Sequence, residues 1–388
     1  MTEKVAVVAG GQSKFGARNA TWRELVQEAG YELFKDVKNL DKKDVDTLFV
    51  GSAMPERFAF QSYVAPLAAE TLGLRPQNIA RVELACASGQ SAVRMAYMAI
   101  ASGLSNIAIA LGVEKMTAAP MAEINTSMAS ALDREWDGVH GATAPPFFAM
   151  VAQRHMLEYG TTPLQMALVT VKNHRFAATN PYAHFPKEVT VEKALASPIV
   201  AAPLTLLDCC GISDGAAAVV LTKAEIAKKF TDTPIYIKGF GQYALGHNLA
   251  NIPSLSNWHV LRKAAELAYK NAHIEVKDIS FAELHDCFTI SEIIEYEELG
   301  FCKKGEGGKF IEDGQSDIGG KIPVNTRGGL LGCGHPLGAT GISQIIEVLH
   351  QFQRKVPNKR LVPNPQIAIT HNLSGPSNVH SITVFGGA

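Results

Sequence analysis

Four pairs of similar stretches recur in the same order in the two halves of the 388-residue chain. One pair joins VAVVAGGQSKFG to IYIKGFGQYALG, each a short β-rich run that leads into Gly-Gln. Four matches in one order favour an internal duplication over chance similarity. The paired stretches are 5–16 with 235–246, 42–51 with 276–286, 85–103 with 332–352, and 213–223 with 374–386.

The duplicated unit alternates strand-like runs with amphipathic helices, which predicts an α/β fold with two mostly parallel sheets covered by helices. Its clearest helices keep the i, i+3, i+4, i+7 spacing of one buried face. These positions are Ala92, Met95, Ala96 and Ala99 in the first half and Ile342, Ile345, Ile346 and Leu349 in the second. The predicted domains are an N-terminal half (1–118, completed by about 200–230), an inserted loop or lid domain (119–199) and a C-terminal half (231–388).

The composition narrows the class of protein. The chain is 47% apolar and 19% charged with a formal net charge of -1, which fits a globular protein and disfavours a nucleic-acid surface. No apolar stretch is long enough to cross a membrane, and the N-terminus enters a strand too early to leave room for a signal peptide. The six cysteines are irregularly spaced, unlike a disulfide framework. We therefore expect a reduced, cytoplasmic protein.

Cys86, in VELACASGQS, follows a strand predicted to end near Leu84 and precedes a helix. Ligands bind at this edge of an open α/β sheet, and the N–H groups and dipole of a helix start favour a thiolate. The small neighbouring residues leave room for a substrate. Cys86 is therefore a candidate nucleophile, and the alternative is a small cysteine packed at a tight turn.

His335, in GGLLGCGHPLGATG, occupies the position that the duplication makes equivalent to Cys86. The surrounding glycines indicate unusual backbone angles and the close approach of another group. Pseudo-twofold packing of the halves would bring the two helix N-termini together, so that His335 would be the base for Cys86. Cys333 lies two residues away and is interpreted as a packing residue.

His285 and Cys287, in AELHDCFTISEII, are predicted to lie on a strand-to-helix loop at the same sheet edge. The sequence TISE suggests a capping box between Thr289 and Glu292, so the helix is predicted to begin after Phe288. A metal site is disfavoured because one His-x-Cys supplies two ligands and zinc needs three or four from the protein.

The remaining candidates carry less information. A turn at Ser374 and Gly375, in ITHNLSGPSN, either offers backbone N–H groups to an oxyanion or is a plain turn. No phosphate loop or dinucleotide fingerprint is present. Cysteines and histidines outside the motifs are expected in packing or at the surface, with the histidines of the insertion at the border of a cleft as an alternative. They are Cys209, Cys210, Cys302, His155, His174, His184 and His247.

Taken together, CASG, HDCF, GGLLGCGHPLGATG and HNLSG resemble the thiolase superfamily over the whole chain. The branch is that of the sterol-carrier-protein-type thiolases, which includes archaeal acetyl-CoA acetyltransferases. Biosynthetic thiolases differ by having Asn-Glu-Ala-Phe in place of HDCF and a second catalytic cysteine in a terminal Cys-x-Gly. The resemblance implies two duplicated βαβαβαββ halves in a five-layer αβαβα arrangement. Since no cysteine follows Cys333 here, the acid/base role falls to Cys287.

The resemblance also implies the chemistry. Cys86 attacks the thioester of acetyl-CoA, and His335 takes its proton. Cys287 then removes a proton from a second acetyl-CoA, and the carbanion attacks the acetyl group. The side chains of His285 and His335 would stabilise the enolate, and backbone N–H groups at Cys86 and in the Ser374–Gly375 turn would stabilise the tetrahedral intermediate.

Further expectations come from the same resemblance. Coenzyme A thioesters are substrates, with no permanently bound cofactor and no metal, and the residues that hold coenzyme A are not identified. The expected partners are further copies of the chain in a dimer or tetramer, HMG-CoA synthase and a small zinc-ribbon/OB-fold protein, in the mevalonate pathway. The terminal turn departs from the family's glycine-rich run, because Pro376 has no N–H.

Three alternatives stay open. The first is degradative thiolysis of longer 3-ketoacyl-CoAs, which depends on the shape of the pocket. The second is a ketosynthase or HMG-CoA synthase on the same fold, although a second ketosynthase histidine motif is missing and Cys287 stands where the synthase would use a glutamate. The third is an acyl-CoA-binding protein without turnover.

Overall fold

The computed structural model describes residues 4–246 and 248–387, and within them nine strands form one hydrogen-bonded sheet while two short strands pair separately. The strands are β1 (Val5–Gln12), β2 (Thr47–Gly51), β3 (Asn78–Val82), β4 (Ile107–Glu114), β5 (Ile199–Ala201), β6 (Leu204–Thr205), β7 (Gly215–Lys223), β8 (Ile235–Ala244), β9 (Phe281–Glu283), β10 (Ile367–Ser374) and β11 (Val379–Gly386).

Helices cover both faces of the sheet and fill the space between its halves. They are α1 (Trp22–Asp36), α2 (Pro55–Phe58), α3 (Val64–Leu72), α4 (Ser88–Ala101), α5 (Met121–Ala129), α6 (Ala144–Tyr159), α7 (Pro163–Ala177), α8 (Val191–Leu195), α9 (His259–Ala272), α10 (Thr289–Glu298), α11 (Gly307–Glu312), α12 (Gly329–Cys333) and α13 (Leu337–Phe352). No helix among the described residues has both the length and the apolar character needed to cross a membrane.

The strand order β3-β2-β4-β7-β1-β8-β11-β10-β9 places one half of the chain beside a reversed copy of itself. Reading inward from each edge, β2-β4-β7-β1 corresponds to β9-β10-β11-β8. The counterpart of β3 is reduced to one parallel bridge between Ala282 and Val324. Each of the four repeated sequence pairs falls on equivalent elements of the two halves, which confirms the predicted duplication.

The prediction of mostly parallel sheets is wrong. Only β2 with β3, β2 with β4, and β9 with β10 pair in parallel within the nine-stranded sheet. The closing strand of each half causes the difference, because β7 inserts antiparallel between β4 and β1, and β11 inserts antiparallel between β10 and β8.

The two halves of the sheet meet at only two residue pairs, Ala6 with Tyr236 and Val7 with Ile235. Alternate residues of β1 point to different cores, so Val7 packs with α4 and α13 while Val8 packs with α1 and α3. Helices α9 and α10 cover the outer face of the C-terminal half. The result is the five-layer αβαβα order implied by the resemblance, with α4 and α13 in the central layer.

Residues 119–199, all of them described, contain α5 to α8 and contribute no strand to the nine-stranded sheet. The interpretation of this segment as an inserted lid, and the domain boundaries given above, stay predictions.

Helix α10 begins where the sequence predicts, but the capping box is wrong. Phe288 is the N-cap residue and makes no side-chain cap bond. The Thr289 hydroxyl instead donates to Asp208 Oδ1 at 2.7 Å, and the Glu292 carboxylate accepts from Lys172 and Asn173. Partners that are distant in sequence replace the local cap.

Candidate active site

Glycines allow the N-terminal ends of α4 and α13 to touch. A Cβ atom on Gly89 of α4 would lie 2.3 Å from the carbonyl oxygen of Gly338 in α13, and one on Gly112 of β4 would lie 2.0 Å from the same oxygen. Such distances exclude any side chain at these positions. The close approach brings the residues just before the two helices, Cys86 and His335, into one place.

A cavity of about 460 Å³ lies at this meeting point. Of the residues predicted from the sequence, Cys86, His285, Cys287, His335 and Gly375 line it. One sulfur or nitrogen atom from each of Cys86, His285 and His335 lies within 4.8 Å of the other two. The structure therefore assembles side chains from three loops that are up to 249 positions apart in the chain.

The tautomer of His335 follows from its neighbour Thr340. The Thr340 hydroxyl donates its one hydrogen to the carbonyl of Pro336 at 3.0 Å, so it accepts from His335 Nδ1 at 2.7 Å. The neutral ring then carries its hydrogen on Nδ1 and a lone pair on Nε2. His335 Nε2 has no hydrogen-bond partner among the described residues, and burial and Arg327 lower the pKa of this ring to about 3. His335 is a neutral acceptor toward the cavity.

His285 has the opposite tautomer. The amide nitrogen of Asn372 donates to Gln344 Oε1 at 2.6 Å and to the carbonyl of His371 at 2.9 Å, which fixes the orientation of the amide, and lies 3.5 Å from His285 Nδ1. An amide nitrogen does not accept hydrogen bonds, so a ring hydrogen on Nδ1 would have no acceptor there, and we place it on Nε2. Burial lowers the pKa of His285 well below its usual value, so the ring is neutral. Two imidazoles in edge-to-face contact, 4.9 Å apart, thus offer a donor and an acceptor to one cavity.

These tautomers also bear on metal binding. Cys86, His285 and His335 are spaced as a three-residue metal cluster would be. However, a metal needs the lone pair of His285 Nε2, and a hydrogen moved to Nδ1 would face the Asn372 amide nitrogen, which cannot accept it. The neighbourhood of His285 suits a hydrogen-bond donor better than a metal ligand.

The expectation of a Cys86 thiolate is wrong. Burial, together with the charges of Glu114 and Glu83, raises the pKa of Cys86 to about 12, and its own backbone N–H offsets this only in part. The N-terminus of α4 lowers the pKa of Cys86 less than predicted, because Ala85–Ala87 form a separate turn before the helix begins. In the free protein Cys86 is a thiol beside a neutral imidazole.

Cys287 lies on the loop between β9 and α10. Its carbonyl accepts from the N–H of Cys210 at 3.0 Å, and its sulfur lies 3.7 Å from the Ser291 hydroxyl. Burial, followed by the neighbouring Cys210 and Cys86, raises the pKa of Cys287 well above that of an ordinary thiol. Asp286 points elsewhere and accepts from the N–H of Leu330 at 2.7 Å, which anchors α12.

The terminal turn contributes through one of its two predicted residues. Gly375 lines the cavity in a left-handed conformation with φ of 61°. The Ser374 side chain instead donates to the carbonyl of Leu84 at 2.8 Å and ties the turn to the segment before Cys86.

Two family models cover nearly the whole chain. The model described as "Thiolase, N-terminal domain" matches residues 5–225, and "Thiolase C-terminal domain-like" matches residues 241–387. The chain belongs to the thiolase family.

Relatives of this thiolase include archaeal enzymes of the same length. It is 44% identical to the acetyl-CoA acetyltransferase of Methanothermobacter thermautotrophicus, over 98% of this chain and 99% of the relative. It is 38% identical to the benzoylsuccinyl-CoA thiolase subunit BbsB of Thauera aromatica, over 97% and 96%. It is 32% identical to sterol carrier protein 2 of Bos taurus, over 96% of this chain and 70% of that protein. These relatives and the thiolase domains show that the chain is an acyltransferase.

Solved structures give the same fold. The Ltp2-ChsH2(DUF35) aldolase superposes with a TM-score of 0.86 at 26% identity, covering 99% of this chain and 98% of that one. Human mitochondrial 3-ketoacyl-CoA thiolase in complex with CoA superposes with a TM-score of 0.76 at 16% identity, covering 100% and 98%.

Sequence reasoning missed several residues of this thiolase site. Cys209 and Cys210 were expected to be buried in packing, but both line the cavity. An antiparallel bridge between Cys209 and Phe288 brings Cys210 beside Cys287. No local pattern indicates this contact, which depends on where the loop before β7 meets the loop before α10. Thr340 and Asn372, which set the two tautomers, lie within the quoted motifs but have no signal of their own.

The other candidates lie outside the cavity. Cys333 is buried and donates to the carbonyl of Arg327 at 3.0 Å, as expected for a packing residue. His155 is buried against Glu297, and His174 contacts the carbonyl of Lys187. His184 is half-buried with Nδ1 2.9 Å from the Ser213 hydroxyl, Cys302 is half-buried, and His247 lies outside the described residues.

Proposed function

We propose that this thiolase condenses two molecules of acetyl-CoA to acetoacetyl-CoA and CoA through an acetyl-Cys86 intermediate. The observation that carries the proposal is the convergence of one thiol with two neutral imidazoles of opposite tautomer. His335 Nε2 is arranged to accept a proton, and His285 Nε2 is arranged to donate a hydrogen bond. The acetyl-CoA acetyltransferases among the relatives support acetyl-CoA as the substrate.

In the first half-reaction, the sulfur of Cys86 forms a bond to the thioester carbonyl as His335 Nε2 takes the thiol proton. Because the pKa of Cys86 is raised to about 12, the sulfur is not ionised beforehand and loses its proton as it attacks. Backbone N–H groups at Cys86 and Gly375 stabilise the tetrahedral oxyanion. The bond to the CoA sulfur then breaks, and the departing thiolate takes the proton of Cys287. The products are acetyl-Cys86, free CoA, a Cys287 thiolate and a protonated His335.

In the second half-reaction, the Cys287 thiolate removes a proton from the methyl group of a second acetyl-CoA. Its raised pKa makes this thiolate a strong base. The enolate oxygen accepts from His285 Nε2–H and from the now protonated His335 Nε2–H. The enolate carbon attacks the acetyl group, and the departing Cys86 sulfur recovers its proton from His335, which restores all four side chains.

Mass spectrometry of the intact protein tests the first half-reaction. After incubation with acetyl-CoA, the wild type is expected to gain one acetyl group, and Cys86→Ala is expected to gain none. Cys302→Ala, which changes a half-buried thiol away from the cavity, is the matched control and is expected to be acetylated. A folded wild-type protein that gains no acetyl group would refute the enzyme proposal in favour of acyl-CoA binding without turnover.

The role of Cys287 is tested by separating the half-reactions. Cys287→Ala is expected to form acetyl-Cys86 but neither to condense nor to exchange the methyl protons of acetyl-CoA with D₂O. Cys210→Ala removes the neighbouring thiol on the same wall and is expected to do both. Condensation at the wild-type rate by Cys287→Ala would refute the assigned base.

A second candidate function is thiolysis of larger 3-ketoacyl-CoAs. It is favoured by the apolar wall of the cavity, where Phe148 and Phe288 stack with centroids 4.4 Å apart, and by the benzoylsuccinyl-CoA thiolase subunit among the relatives. Comparing kcat/KM for thiolysis of acetoacetyl-CoA with that for longer and aromatic 3-ketoacyl-CoAs decides between the two. We expect acetoacetyl-CoA to be preferred.

We further propose a cytoplasmic enzyme of the mevalonate pathway, since the mechanism needs free thiols and all six cysteines are unpaired. A homodimer or tetramer is proposed because β3 is an edge strand of the sheet, able to pair with another copy. Light scattering would measure the oligomer. Co-purification would test the association with HMG-CoA synthase and a zinc-ribbon/OB-fold protein.

A further inference from the structure

The turn that joins β10 to β11 has a conformation that needs outside support. Gly375 and Ser377 both adopt left-handed backbone angles, with φ of 61° and 56°. Glycine tolerates this region, but serine has a Cβ atom and seldom adopts it. Pro376 between them has no N–H to bind the turn internally. Contacts from elsewhere must therefore hold the peptide groups of this turn in place.

His380, on β11, supplies one such contact. Its ring is fully buried, and Nε2 donates to the carbonyl of Ser377 at 3.1 Å. Because Nε2 faces a carbonyl, it carries the hydrogen of the neutral ring, and Nδ1 accepts from His371 Nε2 at 2.9 Å. The Ser377 carbonyl, which can only accept, thus fixes the direction of both hydrogen bonds.

The chain of contacts continues to the loop of His285. His371 Nδ1, left with a lone pair, lies 3.5 Å from Glu295 Oε1, and burial, followed by Glu292, raises the pKa of this carboxyl well above its usual value, so that the hydrogen between the two atoms belongs to Glu295. The other oxygen of Glu295 accepts from the backbone N–H of His285 at 3.1 Å. Three buried side chains, His380, His371 and Glu295, therefore connect the turn at Ser377 with the loop of His285, and no step of the reaction above uses His371 or His380.

The turn is anchored at three points. Ser374 ties its start to the carbonyl of Leu84, two residues before Cys86, and the N–H of Leu245 donates to the carbonyl of Asn378 at 2.8 Å at its end. His380 holds the carbonyl between them. Gly375 and Pro376, in the same turn, line the cavity, so a displacement of this carbonyl would also move the Gly375 peptide group.

We propose that His380 is a positioning residue for acetylation of Cys86: with His371 and Glu295 behind it, it holds the turn so that the Gly375 N–H faces the oxyanion of the first tetrahedral intermediate. The inference rests on the proposed function. It predicts slower formation of the tetrahedral intermediates at the Cys86 thioester but unchanged enolate formation, because the enolate is bound by the side chains of His285 and His335.

The test uses His380→Leu, which removes the donor, and His380→Gln, whose amide nitrogen can still reach the Ser377 carbonyl. The first measurement is the rate of CoA release in the first turnover with acetyl-CoA. The second is exchange of the acetyl-CoA methyl protons with D₂O, expressed per acetyl-Cys86 formed, because acetylation leaves Cys287 as the thiolate that removes these protons.

His380→Leu is expected to slow acetylation about tenfold, less than the loss of an entire oxyanion donor. Methyl exchange is expected to stay within about twofold, and His380→Gln is expected to recover most of the acetylation rate. Should His380→Leu not yield folded protein, His371→Leu takes its place, since it removes the donor to His380 Nδ1 and predicts the same selective loss.

Two results would overturn the inference. One is acetylation by a folded His380→Leu or His371→Leu variant within twofold of the wild-type rate. The other is an equal fall in acetylation and in methyl exchange without recovery in His380→Gln, which would indicate a general structural role. A wild-type protein that is not acetylated would instead overturn the proposed function, and this inference with it.

Discussion

Thr340→Val changes one hydroxyl and thereby tests the assigned tautomer of His335. Valine has nearly the same shape as threonine, and position 340 is buried inside α13, so the main loss is the acceptor for His335 Nδ1–H. A buried donor left without a partner costs about 1–3 kcal/mol. The ring can reduce this cost by moving its hydrogen from Nδ1 to Nε2, because an N–H that faces the cavity is no less favourable than one that faces a methyl group of the introduced valine.

That escape removes the base. With hydrogen on Nε2, His335 cannot accept the proton of Cys86, so only the minor tautomer remains reactive. An energy of 1.36 kcal/mol corresponds to a factor of ten, so about 1–3 kcal/mol predicts acetylation slowed by about 5- to 150-fold. The destabilised ground state also predicts a free energy of unfolding lower by a similar amount.

The assay is rapid-quench measurement of CoA released in the first turnover at saturating acetyl-CoA, with urea unfolding for stability. Thr340→Ser keeps the hydroxyl and loses a methyl group, so it is the matched control and is expected to acetylate within a few-fold of wild type. A folded Thr340→Val protein that acetylates at the rate of Thr340→Ser would refute the tautomer assignment.

Four further predictions concern the site and the contacts that support it. The pKa of about 3 for His335 and of about 12 for Cys86 predict a first-turnover rate that is flat between about pH 5 and 9, and an inflection near pH 6.5 would contradict them. The same pKa affects stability, because on acidification a histidine in the unfolded chain takes up a proton before the buried His335 does. The contribution of His335 to the free energy of unfolding is therefore present above about pH 6.5 and is lost as the pH falls toward 3. Comparing acid unfolding of the wild type with that of His335→Gln would show this loss. Gly89→Ala places a Cβ 2.3 Å from the Gly338 carbonyl oxygen, so α4 and α13 must move apart. This variant is expected to slow acetylation about 100-fold in the same rapid-quench assay. Lys172→Met leaves the Glu292 carboxylate buried without its cation and is expected to lower the free energy of unfolding by about 3–5 kcal/mol in urea, and a loss below 1 kcal/mol would contradict this.

Much of the fold was predictable because the chain repeats itself. Four weak similarities in a fixed order located equivalent elements in both halves, and equivalence alone placed His335 opposite Cys86. The helix faces were less secure, since Met95 shares the predicted buried spacing but is 38% exposed. Strand direction was not predictable, because an apolar run reads the same in a parallel or antiparallel neighbourhood.

The failures at the site have a common physical cause. A thiolate at Cys86 was inferred from the start of a helix, which is local, whereas its pKa is raised by burial and by Glu114, 28 positions away. The capping box was inferred from spacing within TISE, whereas the actual partner of Thr289 is Asp208. In both cases a contact made by the fold outweighs the one suggested by neighbouring residues.

The duplication explains why the site exists, and the divergence of its halves explains why it works. The loop after β2 and the loop after β9 are equivalent, but they meet different neighbours. In the first half, the N–H groups of Ala53 and Met54 donate to the buried carboxylate of Glu114 at 2.8 and 3.2 Å. These hydrogen bonds hold that loop against β4. In the second half, the equivalent loop turns His285 and Cys287 into the cavity. A symmetric dimer of halves would present two identical helix ends, two thiols or two imidazoles. In the mechanism proposed above, the asymmetry provides one thiol to attack, one imidazole to accept its proton and a second loop to bind and deprotonate the other substrate.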